Sequence, residues 1–202
     1  MKLAGAQVVD ETAHPQGTRV FTLDIPGLRV IAPRVFGDAR GFFLETYNAT
    51  RYAALGIREA FVQDNLSRSS AGVLRGLHFQ NPQAQAKLVS VMEGEVFDVA
   101  VDIRRDSPSF GRWAGIVLDA ESRLQFLVPR GFAHGFCVLS GSAVFSYKCD
   151  DLYQPQHEHV IRWDDPDIGI SWPVATPMLS DKDAAGIRLR DFPRERLPEA
   201  EA

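Results

Sequence analysis

The sequence predicts an all-β domain, an antiparallel sandwich or small barrel with a few short helices, and three observations carry that prediction. Short runs of alternating apolar and polar residues recur at close spacing, glycines and prolines stand between them, and no long helical segment separates them. At 202 residues and 45% hydrophobic the chain can bury one substantial core. We therefore read a single domain over 19–192. Residues 1–18 are expected as an N-terminal tail or added strand, and 193–202 as a charged, frayed C-terminal tail.

The pattern tightens from Thr22. Gly27 to Phe36 reads as a strand that turns at Gly37-Asp38 and returns antiparallel through Arg40 to Glu45. Thr50 to Leu55 fits a short helix capped by Asn48 or Thr50 and stopped by Gly56, after which Phe61 to Asn65 is extended again. In LRGLHFQ, residues 74–80, the glycine between Arg75 and Leu77 marks a bulge or a close backbone approach. Such a bulge would turn Arg75 and His78 toward one pocket.

Lys87 alternates onto the same face as Val89 and Val91, where an ammonium needs a reason. After the turn at Glu93-Gly94, Phe97, Val99, Val101 and Ile103 share one face and Val96, Asp98, Ala100 and Asp102 the other; one of the two is expected to be polar. Trp113 to Leu118, Leu124 to Pro129, Phe132 to Leu139 and Ser142 to Tyr147 follow as short strands, and Leu179 to Ala185 opens a C-terminal helical turn.

Composition excludes several classes. A formal charge of −4 and scattered basic residues offer no surface for nucleic acid. No stretch approaches about 20 apolar residues and the first residues lack a signal-peptide core, so no membrane association is predicted and a cytoplasmic location is expected. Cys137 and Cys149 stand in apolar strands without CxxC spacing, as reduced core thiols do.

Each chemical candidate has a plain structural alternative. His134, between Phe132 and Phe136 on one face, fits a hydrogen-bonded core histidine. Tyr147, sharing a face with Phe145, fits a core tyrosine with its hydroxyl at the rim. Asp183, three residues after Ser180, fits a helix cap, and Asp98 and Asp102 could face solvent. Lys87 resists such a reading, because burying an ammonium without a partner costs several kcal/mol, although its stem could snorkel at a strand end. Together these residues offer a base, an acid and a cation for an oxyanion, with arginines for phosphate. A barrel metal site would want a His-x-His pair, but Phe79 and Gln80 follow His78, so no metal is expected.

The stretches PRVFGDARGFFLETYN, LRGLHFQ, GEVFDVAVDIRRDSPSFG, VPRGFAHGF, YKCDDLYQPQHE and LSDKDA, in that order, make the chain from about Pro26 to Asp183 resemble the dTDP-4-dehydrorhamnose 3,5-epimerase family. The resemblance implies a cupin-like jelly-roll β-barrel, no cofactor, and a homodimer that exchanges strands. It also implies inversion at C3 and C5 of dTDP-4-dehydro-6-deoxy-D-glucose to give dTDP-4-dehydro-L-rhamnose. By the same resemblance His78 is the proton acceptor, Asp183 orients and charges it, Tyr147 protonates the opposite face, and Lys87 lies near the ketone oxygen. Arg40, Glu45, Gln63, Asn65, Arg75, His134, Glu158 and Lys182 are implied around the nucleotide sugar, with Tyr153 on the thymine. The alternatives are a single-carbon epimerase or ketoisomerase of another dTDP-4-keto-6-deoxysugar, a metal-dependent cupin oxygenase, and a silent sugar-binding cupin. The missing His-x-His disfavours the oxygenase; an intact His78, Asp183 and Tyr147 set disfavours the silent module.

Overall fold

Two antiparallel sheets face each other in the structure, a computed structural model that describes residues 1–14 and 16–200. Residue 15 of the N-terminal stretch and residues 201–202 of the expected C-terminal tail lie outside the described residues. Numbered along the chain, the six-stranded sheet runs β1 (Leu3–Ala4), β11 (Trp113–Asp119), β10 (Glu95–Asp102), β13 (Phe132–Val138), β8 (Leu74–Gln80) and β15 (Glu158–Val160). The seven-stranded sheet runs β2 (Val8–Ala13), β3 (Arg19–Leu23), β4 (Arg29–Ala32), β12 (Gln125–Val128), β9 (Lys87–Glu93), β14 (Ser142–Cys149) and β7 (Gln63–Ser70). This is the jelly-roll barrel that the strand pattern and the resemblance imply.

The barrel interior takes the alternate residues of both sheets, among them Val89, Val91, Val96, Ala100, Phe126, Phe136 and Phe145. A second cluster covers the outer face of the six-stranded sheet, where Phe97, Val99 and Val101 pack under Ile168, Leu189, Phe192 and Leu197. The expectation of one polar face on β10 therefore fails: the C-terminal segment folds back over the outer face and both faces are buried. Asp98 and Asp102 do not meet solvent; each is fully buried. Leu197 ties down the chain past Pro193, which the charged sequence had suggested was frayed.

The third cluster lies outside the seven-stranded sheet, where α1 (Ala49–Ala54) lays Tyr52 and Leu55 over Val20, Ile31, Leu88 and Leu127. Burying side chains of this size contributes about 1.5 to 3 kcal/mol each. Asn48 caps α1 by accepting from the Arg51 N–H, and Gly56 leaves it at φ +79°.

The strand read from Gly27 to Phe36 divides at Pro33. β4 stays in the barrel, whereas β5 (Val35–Asp38) leaves it to pair, among the described residues, only with β6 (Gly41–Leu44). Proline lacks the N–H that a ladder would use, and the departing hairpin holds Phe36, Phe42 and Phe43 in solvent. Among the described residues no helix is long and apolar enough to cross a membrane.

Candidate active site

A bulge organises the site. His78 pairs with His134 and Arg75 with Phe136, so Gly76 and Leu77 of β8 oppose the single residue Gly135 of β13. The extra residue resets the alternation, and Arg75 and His78 reach the same cavity; three apart in an unbroken strand they would point to opposite faces. Both glycines are needed. A Cβ on Gly76 would lie 2.6 Å from the Gly135 Cα, and one on Gly135 would lie 2.6 Å from the Arg75 carbonyl oxygen.

The cavity encloses about 370 Å³ and takes its apolar wall from Phe136 and Phe145, stacked with centroids 4.0 Å apart. From the six-stranded sheet it receives His78, Arg75, His134 and Glu158, and from the opposite sheet Lys87, Tyr147, Gln63 and Asn65. Tyr153 and Lys182 complete the mouth. Two of the residues implied by resemblance are elsewhere. Arg40 sits at the tip of the β5–β6 hairpin paired with Asp38, and Glu45 follows β6, paired with Arg51 at 2.8 Å.

Asp183 stands behind His78 on α2 (Asp181–Ala184), only 3% exposed. Ser180 Oγ accepts from the Asp183 N–H and donates to its Oδ2 at 2.7 Å, so the capping geometry is present. The same carboxylate accepts from the Gly76 N–H through Oδ1 and meets His78 Nε2 at 2.5 Å. Burial alone would raise its pKa, but the bonds from His78, Ser180 and Gly76 prevail and hold it below the usual range. The capping turn and the imidazole clamp are one structure. With Nε2 so engaged, Nδ1 is the ring nitrogen left for the cavity.

Lys87 starts β9 on the inward face. Burial pushes its pKa down, opposed by the nearby Glu158 and Asp98 carboxylates. Asp98, to which strand alternation assigned no part in the site, is one of the charges acting on Lys87. Its Oδ1 meets His134 Nε2 at 2.9 Å, while its buried Oδ2 has no partner among the described residues. Burial raises the Asp98 pKa against the pull of His134 and Lys87. A carboxylate inside the unbroken apolar run of β10, diagonal to a histidine on the neighbouring strand, was the signal that could have found it.

Burial also raises the Tyr147 pKa, reinforced by Cys149 and Glu158, which keeps the phenol protonated. Cys149 lines the cavity, and burial pushes its thiol up to about 11, so it is present as the neutral thiol. At the mouth Glu158 Oε2 accepts from Tyr153 Oη at 2.8 Å and Lys182 Nζ at 2.7 Å, and its Oε1 lies 3.9 Å from His78 Nδ1. The arrangement sets an imidazole and a phenol on facing sheets, with the Lys87 ammonium and the Arg75 guanidinium lining the same cavity. It can move protons at two faces of a bound ring and steady negative charge.

A family model described as dTDP-4-dehydrorhamnose 3,5-epimerase matches residues 22–191. The dTDP-4-dehydrorhamnose 3,5-epimerase of Shigella flexneri is 52% identical over 174 residues, 85% of this chain and 96% of that protein. A crystal structure of a dTDP-6-deoxy-D-glucose-3,5-epimerase from Legionella pneumophila, in complex with dTDP-4-keto-L-rhamnose, superposes with a TM-score of 0.89 at 52% identity, covering 92% of this chain and 100% of that one. A 3'-monoepimerase from Streptomyces bikiniensis, in complex with dTDP-quinovose, reaches a TM-score of 0.81 at 34% identity, covering 87% and 91%.

Proposed function

The chain belongs to the dTDP-4-dehydrorhamnose 3,5-epimerase family, and from that premise we propose how its own residues perform the reaction. It is an isomerase acting on a dTDP-linked 4-keto-6-deoxy sugar: it inverts C3 and C5 of dTDP-4-dehydro-6-deoxy-D-glucose to give dTDP-4-dehydro-L-rhamnose. The single observation that carries the residue roles is the convergence of His78 and Tyr147, from opposite sheets, on one cavity.

Hydrogens beside a ketone are weakly acidic, so the chain must stabilise an enolate as its charge develops. His78 Nδ1, held by Asp183, removes a proton from one face of the sugar ring, and Tyr147 returns one to the other. Lys87, with His134, meets the developing oxyanion. Removing one such donor costs about 3 to 4 kcal/mol in comparable sites. Asp98 acts through these two groups: it fixes the His134 ring and favours the Lys87 cation. Arg75, steadied by Ser69 Oγ at 3.1 Å, clamps the diphosphate. Gln63, Asn65, Glu158 and Lys182 surround the nucleotide sugar and Tyr153 covers the thymine.

Arg40 and Glu45 serve a neighbouring site in this reading. The hairpin that carries Arg40 to its tip stands off the barrel with exposed Phe42 and Phe43, as an arm exchanged in a homodimer would. Residues 19–192 act as one cupin domain without cofactor or metal, in the cytoplasm.

Incubation with the keto sugar in deuterated water tests the reaction: label is expected at both carbons. Label at one carbon would favour the single-centre reading that the Streptomyces bikiniensis relative keeps open, and label at none would overturn the epimerase. His78→Asn is expected to lower turnover at least 100-fold with the fold intact; near-normal turnover would remove His78 from the base role.

A further inference from the structure

Two inversions in one visit require the same imidazole to act as a base twice. Each inversion moves a proton from a substrate carbon to His78 and another from Tyr147 to that carbon. Between the two, the proton on His78 must leave and Tyr147 must regain one. A bound sugar fills the cavity onto which Nδ1 opens, so His78, whose side chain is only 24% exposed, loses its direct contact with water when the reset is due.

Asp183 cannot carry that proton away. Its side chain is 4% exposed, and both of its oxygens are engaged, Oδ1 by His78 and Gly76 and Oδ2 by Ser180. Glu158 differs on each count. Its Oε2 is tethered by Tyr153 and Lys182, side chains about half exposed at the mouth, while its Oε1 accepts no hydrogen bond among the described residues and lies 3.9 Å from His78 Nδ1. A carboxylate rotation of about 1 Å would bring the pair to hydrogen-bond length.

We infer that Glu158 is the proton relay that resets His78 between the two inversions, passing the proton from Nδ1 to bulk water at the cavity mouth. The Nδ1–H bond breaks as an Oε1–H bond forms; the carboxylic acid then releases its proton to water beside Lys182 and becomes a carboxylate again. A water-derived proton returns to the Tyr147 oxygen, so the cycle closes with no net gain or loss. The groups facing Glu158 are His78, Tyr153, Lys182, Tyr147 and Lys87. The nearby cations hold the resting carboxylate ionised and ready to accept.

This inference rests on the two-carbon reading, and one experiment separates the two. Wild-type protein and Glu158→Gln are given the keto sugar in deuterated water, single turnovers are quenched, and singly and doubly inverted sugars are quantified with their label. In Glu158→Gln the ratio of second to first inversion is expected to fall at least tenfold and the singly inverted sugar to accumulate. Glu158→Asp, which keeps a proton acceptor, is expected to recover most of that ratio. A role in sugar binding alone would slow both inversions together and leave the ratio unchanged, and that result would overturn the relay. Failure of wild type to label both carbons would instead overturn the two-carbon reading. Thermal melting of both variants confirms that the ratio is measured on folded protein.

Discussion

Strand β10 buries two aspartates on one face, four residues apart, and treats them differently. Asp102 collects donors: the Arg104 N–H and guanidinium, Ser107 Oγ and Ser109 Oγ all reach it, at 2.6 to 3.0 Å. Among the described residues Asp98 has His134 alone and leaves one oxygen without a partner. Burial opposes ionisation at both, yet the bonds hold the Asp102 pKa below its ordinary value while Asp98 stays above it. A buried carboxylate that is fully satisfied supports the fold. One left short near the Lys87 ammonium and a cavity-lining histidine costs stability, and the proposed mechanism puts its use in the site.

The same replacement at both positions would break or sharpen this contrast. Asp102→Asn swaps an acceptor for an amide facing four donor groups, and about 3 kcal/mol of unfolding free energy is expected to go. Denaturant titration measures it, and the folded fraction should keep its wild-type kcat. An unchanged midpoint would mean that the turn from Arg104 to Ser109 supports itself.

Asp98→Asn is expected to do the reverse. The amide oxygen can still accept from His134 and the buried, half-satisfied carboxylate is gone, so stability should hold or rise. Activity should fall about 10- to 100-fold, roughly 1.4 to 2.7 kcal/mol of transition-state stabilisation. The pH profile adds a second readout. Burial depresses the Lys87 pKa, so its cation is lost as pH rises through a value below the ordinary lysine range, whereas the Tyr147 phenol stays protonated beyond its own. The alkaline limb of kcat/KM is therefore expected below about 10.4. Without the negative charge at 98 the ammonium is less favoured, and that limb should move lower still. A limb that stays in place would detach Asp98 from Lys87.

These two aspartates also mark how far the sequence could be read. Strand alternation located β8, β9, β10 and β14, and a glycine in LRGLHFQ located the bulge, because both are local consequences of chain geometry. The Asn48 cap and the Ser180–Asp183 turn were legible for the same reason. That β10 is covered on both sides was not, since Leu189, Phe192 and Leu197 come from the far end of the chain. Without that cover Asp98 and Asp102 looked like a solvent face. His78, Tyr147, Lys87 and Asp183 were placed by motif resemblance, and His134 alone looked as much like a core residue as a site residue. In the structure it is 7% exposed, bonded to Asp98 and lining the cavity. Arg40 and Glu45 show the converse, since the resemblance names them around the sugar and the fold sets them on the β5–β6 hairpin and just after it, away from the cavity.

The pH dependence of stability offers the finest division between the pair, because their shifts have opposite signs. Asp102 has a folded-state pKa below its unfolded value of about 3.9. Its contribution is complete above the unfolded value and disappears as pH falls through the folded one. Asp98 has a folded-state pKa above its unfolded value. The stability it adds is complete below the unfolded value and is lost as pH rises through the folded one. Each unit of separation is worth about 1.4 kcal/mol. Subtracting the unfolding free energy of Asp102→Asn from wild type across acidic pH should therefore give a difference that grows as pH rises from about 2 to 4. The same subtraction for Asp98→Asn should give a difference that shrinks as pH rises past about 4. Two curves of the same slope would mean that His134 and Lys87 satisfy Asp98 as fully as Arg104 and the serines satisfy Asp102, and the contrast on which its functional reading depends would be gone.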